Sequence, residues 1–501
     1  MAAHLFTSCP VSEKTHDEQH PRDTIGQRQP HNLRMRFGRR RMKAPKFLRR
    51  LLGKQHSAPR PSSYAPSSSY AIVSAAYNVA PYLDEFFGSI AQQTIDRRFL
   101  SVVVVDDGST DETAAICERW AEELPGQVTL IRQENGGQAA ARNHGLQLVS
   151  AEWVTFTDPD DFLAPDYFET VDRAISRHPD AVFLATKFFP YDESTGTTTA
   201  KHPLNWRFTN DGAFYSVLDE SMPMALSMAS GFFKTEHIED ESLKASTEIK
   251  PVFEDAHFVG RYLASAKSGT AGFLGSAKYY YRKRADESST MDHSWDGTDR
   301  LLTVPRMGHA DLLRYAQEAR GEIPAFAKLT VLYDIGWYFR NHVDHPELGD
   351  HFTSTDIAEG RRLLEENLQA IGYDMLFSPQ NKAMGFDHKA AIAKTFFGKN
   401  PPFQKAYLIA SDTENCRLTF RTFVSAPAVF VDEQRVDPAL DTLQRFFWGE
   451  PFYCRYTLEI PYQSTSSRVR FDFGDRLPVQ IDTKGTVLPN GSTVAEFLAH
   501  M

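Results

Sequence analysis

The chain has few cysteines and no local pattern to pair them. Cys9, Cys117, Cys416 and Cys454 are the only four in 501 residues, far apart and without a CxxC. That argues against a disulfide framework or a zinc site and fits a reducing cytosol. Long apolar runs are missing too. No stretch reaches the roughly eighteen residues of a membrane helix, and the N-terminus lacks the continuous apolar segment of a secretory signal. There is no GxGxxG, which argues against a dinucleotide site, and no repeat of fixed period.

Cations are outnumbered, 55 Lys and Arg against 65 Asp and Glu, for a net charge of −10. Ten of the cations lie between Arg34 and Lys54, where no acid occurs, so the remainder carries −20. An acidic body speaks against nucleic acid as a partner. The basic stretch has two readings. With Phe37, Phe47, Leu48, Leu51 and Leu52 interleaved, it suits an anionic membrane surface, each cation contributing about 1 kcal/mol there. With Pro45 interrupting any long helix, it also suits a disordered basic tail. His56 to Ser69 reads as a Ser/Pro linker.

What is present from Tyr70 onward is alternation. Short apolar strands are expected at 71–75, 102–105, 128–131 and 153–157, and helices at 81–92, from 111, and at 138–149. Ser109 or Thr110 is the expected cap of the second helix. This is βαβαβαβ, an open sheet flanked by helices, whose ligands bind beyond the carboxyl ends of the strands. Helices are expected at 325–342 and 357–371, and a small β-sandwich from about Lys405. The expected organisation is a tail and linker over 1–70, an α/β domain over 71–300, a helical region over 301–400 and a β-rich accessory domain over 401–501.

Four segments at strand ends carry chemistry. Ser74-Ala75-Ala76-Tyr77-Asn78 opens the first strand into a loop, where Tyr77 either flanks a base or packs the loop. Asp106-Asp107-Gly108-Ser109-Thr110-Asp111 offers carboxylates to a pyrimidine N–H or ribose hydroxyls, with Gly108 allowing close approach. Asn135-Gly136-Gly137 precedes a helix whose first amides suit an anion, and Arg142 one turn in pairs with phosphate or with the second segment. Asp158-Pro159-Asp160-Asp161 crowds carboxylates that repel unless a cation is shared; it reads as a Mg²⁺ or Mn²⁺ site completed by substrate phosphates, or as a capped turn.

Together these segments resemble the family 2 glycosyltransferases over residues 71–162, with four motifs in the family's order and spacing. The resemblance implies the nucleotide-sugar-binding GT-A fold, a nucleotide-diphosphate sugar donor (UDP-sugar by weight of the family), a divalent metal, and inversion at the anomeric carbon. It assigns Asp107 to the base, Asp160 to the metal, Asp158 to the ribose side of the metal site, and Ala76, Tyr77, Asn135 and Arg142 to the donor. Further along, Pro251-Val252-Phe253-Glu254-Asp255 looks like the family's Glu-Asp motif, with Asp255 the expected base and Glu254 second. His257 reads as orientation or packing. Tyr279-Tyr280-Tyr281-Arg282-Lys283-Arg284 resembles the Tyr-Arg-x-Arg segment; Arg284, with Arg282 second, is the expected stabiliser of the leaving diphosphate.

Leu332 to Tyr338 looks similar to segments of bacterial enzymes that build teichoic-acid-like or capsular polymers, whose β-sandwich appendages serve acceptor binding or oligomerisation. The processive Gln-x-x-Arg-Trp signature is absent, against a cellulose-synthase-like machine. The expectation is a hexosyl- or N-acetylhexosaminyltransferase acting on a cell-surface glycan or polyol-phosphate chain, cytoplasmic or peripheral on the inner membrane face, with a homo-oligomer among its expected assemblies. Two other readings stand beside it: a sugar nucleotidyltransferase, which needs a Gly-rich cationic loop after strand one that this chain lacks, and a non-catalytic nucleotide-sugar-binding scaffold.

Overall fold

Four consecutive valines, Val102–Val105, show how the sheet is buried. Val103 and Val105 join the hydrophobic core on one face; Val102 and Val104 join the core on the other. Alternate side chains of a strand point to opposite faces, so a continuous apolar run means both faces are covered. The computed structural model describes residues 64–208, 211–285, 294–295, 297–345 and 352–501. The basic stretch Arg34–Lys54 lies outside them.

The N-terminal part builds a ten-stranded sheet from β1 (Tyr70–Ala76), β2 (Leu100–Asp106), β3 (Val128–Arg132), β4 (Trp153–Thr155), β5 (Phe162–Leu163), β6 (Ala181–Asp192), β7 (Thr197–Thr198), β8 (Ala213–Ser216), β9 (Gly231–Lys234) and β10 (Thr270–Lys283). Its main order is β3-β2-β1-β4-β9-β6-β10-β5. The first four strands are parallel, as the alternation requires, with Ala76 opposite Asp106 and Asp106 opposite Arg132. β9 then runs antiparallel to both β4 and β6, so the sheet is mixed rather than wholly parallel.

The helices α1 (Ala80–Ala91), α2 (Thr113–Glu123), α3 (Gln138–Leu146), α4 (Tyr167–Arg177), α5 (Thr235–Asp240) and α6 (Glu254–Ser265) flank this sheet. On α1 the helical spacing of Leu83, Phe86, Phe87 and Ile90 buries all four. Ahead of β1, the chain is clipped to α4 by one carboxylate. Asp172, fully buried, accepts from the Tyr64 and Tyr70 hydroxyls, each at 2.7 Å, and from the Ser67 amide at 3.0 Å.

Helices follow: α7 (Thr298–Thr303), a π-helical turn Val304–Ala310, α8 (Asp311–Arg320), α9 (Ala325–His342), α10 (Ser354–Ile371), α11 (Tyr373–Leu376) and α12 (Phe386–Phe397). The chain ends in a six-stranded and a three-stranded sheet whose facing side chains, Leu408, Phe420 and Ile460 against Val429, Val469 and Phe471, share one core. The helical segment has no separate core from these sheets: Phe339 of α9 stacks on Phe452 at 5.2 Å and meets Phe447 at 4.6 Å.

Candidate active site

The loop after β1 is stitched to the loop after β2. The Asn78 amide donates to Ser109 Oγ at 3.0 Å, and the Thr110 amide donates to Asn78 Oδ1 at 2.9 Å. Asn78 adopts φ +52°, a conformation asparagine tolerates. Ser109 and Thr110 therefore do not cap α2, contrary to expectation; its N-cap is Glu112, and Asp111 Oδ1 takes the Thr113 amide at 2.9 Å. This stitching leaves Tyr77 half exposed at the rim of a cleft, not packed into the loop.

Asp107 is the anion at the start of α3. Its Oδ1 accepts from the Gly136 amide at 2.8 Å and Gln133 Nε2 at 2.7 Å, and its Oδ2 from the Gly137 amide at 2.8 Å. Of the amides at this helix start, those of Gly136 and Gly137 are engaged by the protein's own carboxylate. Gly108 is required here: its φ is +77°, and a Cβ would come within 3.0 Å of the Asn135 amide nitrogen.

Arg142 was expected to meet phosphate or the second segment. Instead it joins the fourth segment to the Glu-Asp motif. Only 2% exposed, it donates from Nη2 to Asp158 Oδ1 at 2.8 Å and from Nη1 to Asp255 Oδ1 at 2.5 Å. Asp160 pairs through Oδ2 with Arg284, 2.9 Å from Nε and 2.8 Å from Nη2. The carboxylate crowding is therefore relieved by two arginines. Burial still pushes the Asp158 carboxyl up to about 6, against the pull of Arg142.

Asp158 Oδ2 and Asp160 Oδ1 lie outside these contacts. Among the described residues no group of three His, Cys, Asp or Glu side chains is placed to hold a metal ion. The donor set suits a hard cation taking one or two carboxylate oxygens here and the rest from a phosphate and water, and does not suit an all-protein cage. Asp161 faces inward: it accepts from the Tyr279 hydroxyl and the Arg282 amide, each at 2.7 Å, and burial pushes its carboxyl well up.

Arg282, the second choice among the cations, is committed elsewhere. It is buried, pairs with Glu85 and Glu193, and donates from Nε to the Asp160 carbonyl at 2.6 Å. Only Arg284 of the two lines the cleft.

Phe253 stands just before α6 with φ +83°, its ring edge-on to His309 at 4.6 Å, and so sets where the helix begins. The next two residues, Glu254 and Asp255, reach the cleft. Both Asp255 oxygens are occupied, Oδ1 by Arg142 and Oδ2 by the Met228 amide at 2.9 Å. Glu254 differs: burial first, then the Asp255 charge, push its carboxyl up to about 7. His257 packs away from the cleft, its Nε2 2.7 Å from Asp311, and burial pushes its imidazole down.

Ala76, Tyr77, Asp107, Asn135, Arg142, Asp158, Asp160, Glu254, Asp255 and Arg284 all line this one cleft, of about 920 Å³. The sequence reading missed its other wall. His202, Leu226, Arg300, Thr330, Asp334 and Asn341 also line it. For Thr330, Asp334 and Asn341 the signal was helical spacing on α9, which reads equally well as core, and Asp334 also lies in the singled-out segment Leu332 to Tyr338; His202, Leu226 and Arg300 carried no local signal.

Comparison with known proteins bears on this arrangement. Residues 71–235 match the family described as Glycosyl transferase family 2. Minor teichoic acid biosynthesis protein GgaB of Bacillus subtilis is 28% identical over 274 residues, covering 54% of this chain and 29% of that protein. Poly(ribitol-phosphate) beta-N-acetylglucosaminyltransferase TarS of Staphylococcus aureus is 23% identical over 244 residues, 49% of this chain and 40% of that protein. The chain thus spans less than half of either relative. The crystal structure of S. aureus TarS superposes with a TM-score of 0.54 at 15% identity, covering 83% of this chain and 78% of that one. Its fragment 1-349 in complex with UDP-GlcNAc gives 0.50 at 19% identity, covering 65% and 86%. These likenesses establish a GT-A-like fold with helical and β-rich additions.

Proposed function

From the premise that residues 71–235 form a Glycosyl transferase family 2 domain, we propose that this chain transfers a sugar from a nucleotide-diphosphate sugar to an acceptor hydroxyl, with inversion. The observation that carries this reading is Arg142. One buried guanidinium ties the acidic strand-end loop to the Glu-Asp helix, and so holds donor-side and acceptor-side carboxylates at a fixed separation. Prepositioning of this kind lowers the entropic part of the barrier.

Asp107 and Tyr77 seat the nucleoside. Three hydrogen bonds occupy three of the roughly four lone-pair sites of the Asp107 carboxylate, which leaves one for a base N–H or a ribose hydroxyl. Ala76 and Asn135 line the same end. A Mn²⁺ or Mg²⁺ ion held by Asp160 and Asp158 would supply charge neutralisation at the donor diphosphate. Arg284 stands beside Asp160 and stabilises charge developing on the leaving group.

The acceptor proton goes to the Glu254–Asp255 pair acting as a unit. The sequence favoured Asp255 as base. Asp255 accepts on both oxygens, from Arg142 and from the Met228 amide, and burial pushes the Glu254 carboxyl up to about 7. Coupled carboxylates titrate together, and the pair is the base.

The UDP-GlcNAc held by the TarS fragment supports a UDP-sugar donor, and the names of GgaB and TarS support a cell-wall glycan or polyol-phosphate acceptor. No described helix is long and apolar enough to cross a membrane. We assign peripheral attachment at an anionic membrane face to Arg34–Lys54; equal vesicle binding with and without that stretch would refute it.

The test is release of UDP from a panel of UDP-sugars by the purified protein, with Mn²⁺ and with EDTA. Turnover that Asp160→Ala abolishes is expected. Turnover untouched by Asp160→Ala would overturn the role given to Asp160, and pyrophosphate released from a sugar phosphate and a nucleoside triphosphate would instead favour the nucleotidyltransferase reading. Nucleotide binding without turnover would favour the scaffold.

A further inference from the structure

One wall of the cleft is built by α9, outside the stretch that matches the family. Thr330, Tyr333, Asp334, Trp337 and Asn341 line it. Their spacing, i, i+3, i+4, i+7 and i+11, is one stripe of a helix. Helical stripes usually turn to a core; this one faces a cleft.

The charges at this end are paired in part: Arg300 also lines the cleft, and its Nε and Nη1 are buried with no hydrogen-bond partner among the described residues. Asp334 accepts from Arg300 Nη2 at 2.8 Å and lies 2.8 Å from His309 Nε2. The Arg300 guanidinium stacks on Trp295 at 4.5 Å and Tyr338 at 5.1 Å. Arg340 lies over the Trp337 ring at 4.3 Å and donates to the Ala383 carbonyl at 2.9 Å. His202, across the cleft, is pushed down by burial and stays neutral at pH 7.

Beside the Arg300 guanidinium, what this wall offers a ligand is aromatic and polar. Tyr333 and Trp337 are half-buried rings meeting edge to face at 6.3 Å. Asn341 brings an amide. Thr330 is fully buried, and its Oγ1 has no hydrogen-bond partner. A buried hydroxyl left unpaired inside the protein is costly unless something fills the need. Aromatic faces with a few convergent polar groups suit a pyranose, whose C–H faces pack on rings while its hydroxyls bond at the edges.

Resting on the glycosyltransferase reading, we propose that Tyr333 and Trp337 are the platform for the acceptor, and that the acceptor presents a sugar ring to them.

The experiment uses the full chain, a UDP-sugar that it turns over, and two acceptor sets. One is neutral disaccharides, including N,N′-diacetylchitobiose and lactose; the other is ribitol 5-phosphate and glycerol phosphate. Transfer to neutral sugars is expected. Trp337→Ala should raise the acceptor KM about tenfold or more, the loss of one aromatic stacking partner, while the donor KM moves less than twofold. Trp337→Phe keeps a ring and should recover most of the loss. Tyr333→Phe, which keeps the ring and removes the hydroxyl, should raise the acceptor KM by a smaller factor. UDP-induced thermal shift reports whether each variant is folded. Transfer to the phosphates in preference to the neutral sugars overturns the proposal. So does an acceptor KM unmoved by Trp337→Ala in a protein that still releases UDP. Failure of the unaltered protein to turn over any nucleotide sugar is a different result: it removes the transferase reading on which the platform rests.

Discussion

Arg142 is the residue on which the cleft depends most. It neutralises Asp158 and Asp255 while almost wholly buried. Removing one partner of a buried charge set leaves the others uncompensated, at a cost of about 3–5 kcal/mol. Arg142→Ala should lose about that much in urea unfolding, and should abolish the UDP-dependent thermal shift. Glu254 makes the second prediction. Its carboxyl is raised to about 7, so below that pH the group is protonated and cannot accept a proton. The pH profile of kcat/KM should climb about tenfold per unit below 7 and level above it, and Glu254→Gln should erase that limb. The linkage has the opposite sign for stability. A carboxyl whose folded value lies above its unfolded one contributes fully below the unfolded value, near 4.5, and that contribution is lost as pH rises through about 7. These residues were legible in the sequence because each motif is contiguous. Their partners were not: Arg142 lies 16 residues from Asp158 and 113 from Asp255, and nothing local chooses between them and a phosphate.

At the scale of elements, periodicity located the first strands and helices well because the buried faces repeat. Ala325–His342 coincides with the expected span. The failures come where side chains act across loops. Ser109 and Thr110 have the chemistry of a helix cap but bond Asn78 in a loop 31 and 32 residues away. The glycine-rich start of α3 was seen, yet its anion is the protein's own. One close approach can be tested directly. On Gly145 of α3 a Cβ would come within 2.6 Å of Val73 Cγ1 and 3.1 Å of Val105 Cγ2, both on buried strands. β-branched side chains in a packed sheet have little rotamer freedom to yield. Gly145→Ala should therefore destabilise by about 1–3 kcal/mol, read as a lowered urea midpoint with an unchanged m-value.

On the scale of the whole molecule, the helices and the terminal sheets share side chains. Phe447, Trp448, Phe452 and Tyr453 pack in one core with Tyr338, Phe339 and Phe396. A chain ended after Gly398 would expose the helical half of that core, and patches of this kind drive association. That truncation should be recovered as aggregate, or bind a hydrophobic dye strongly, where the full chain unfolds in one transition. The β-rich end was legible as a class from its alternating strands. Its order was not, because the strand at Gln404–Asp412 pairs in parallel with Val479–Thr483 across some seventy residues, and turn chemistry says nothing about such a partner.

The tether in front of the first strand sets a boundary for anyone trimming this protein. Asp172 depends on Tyr64, Ser67, Ser68 and Tyr70 for every hydrogen bond described for its carboxylate. Cutting ahead of Tyr64 spares that anchorage; cutting a few residues later strands a solitary negative charge beneath the sheet, so crystallisation or labelling tags belong upstream of the tyrosine.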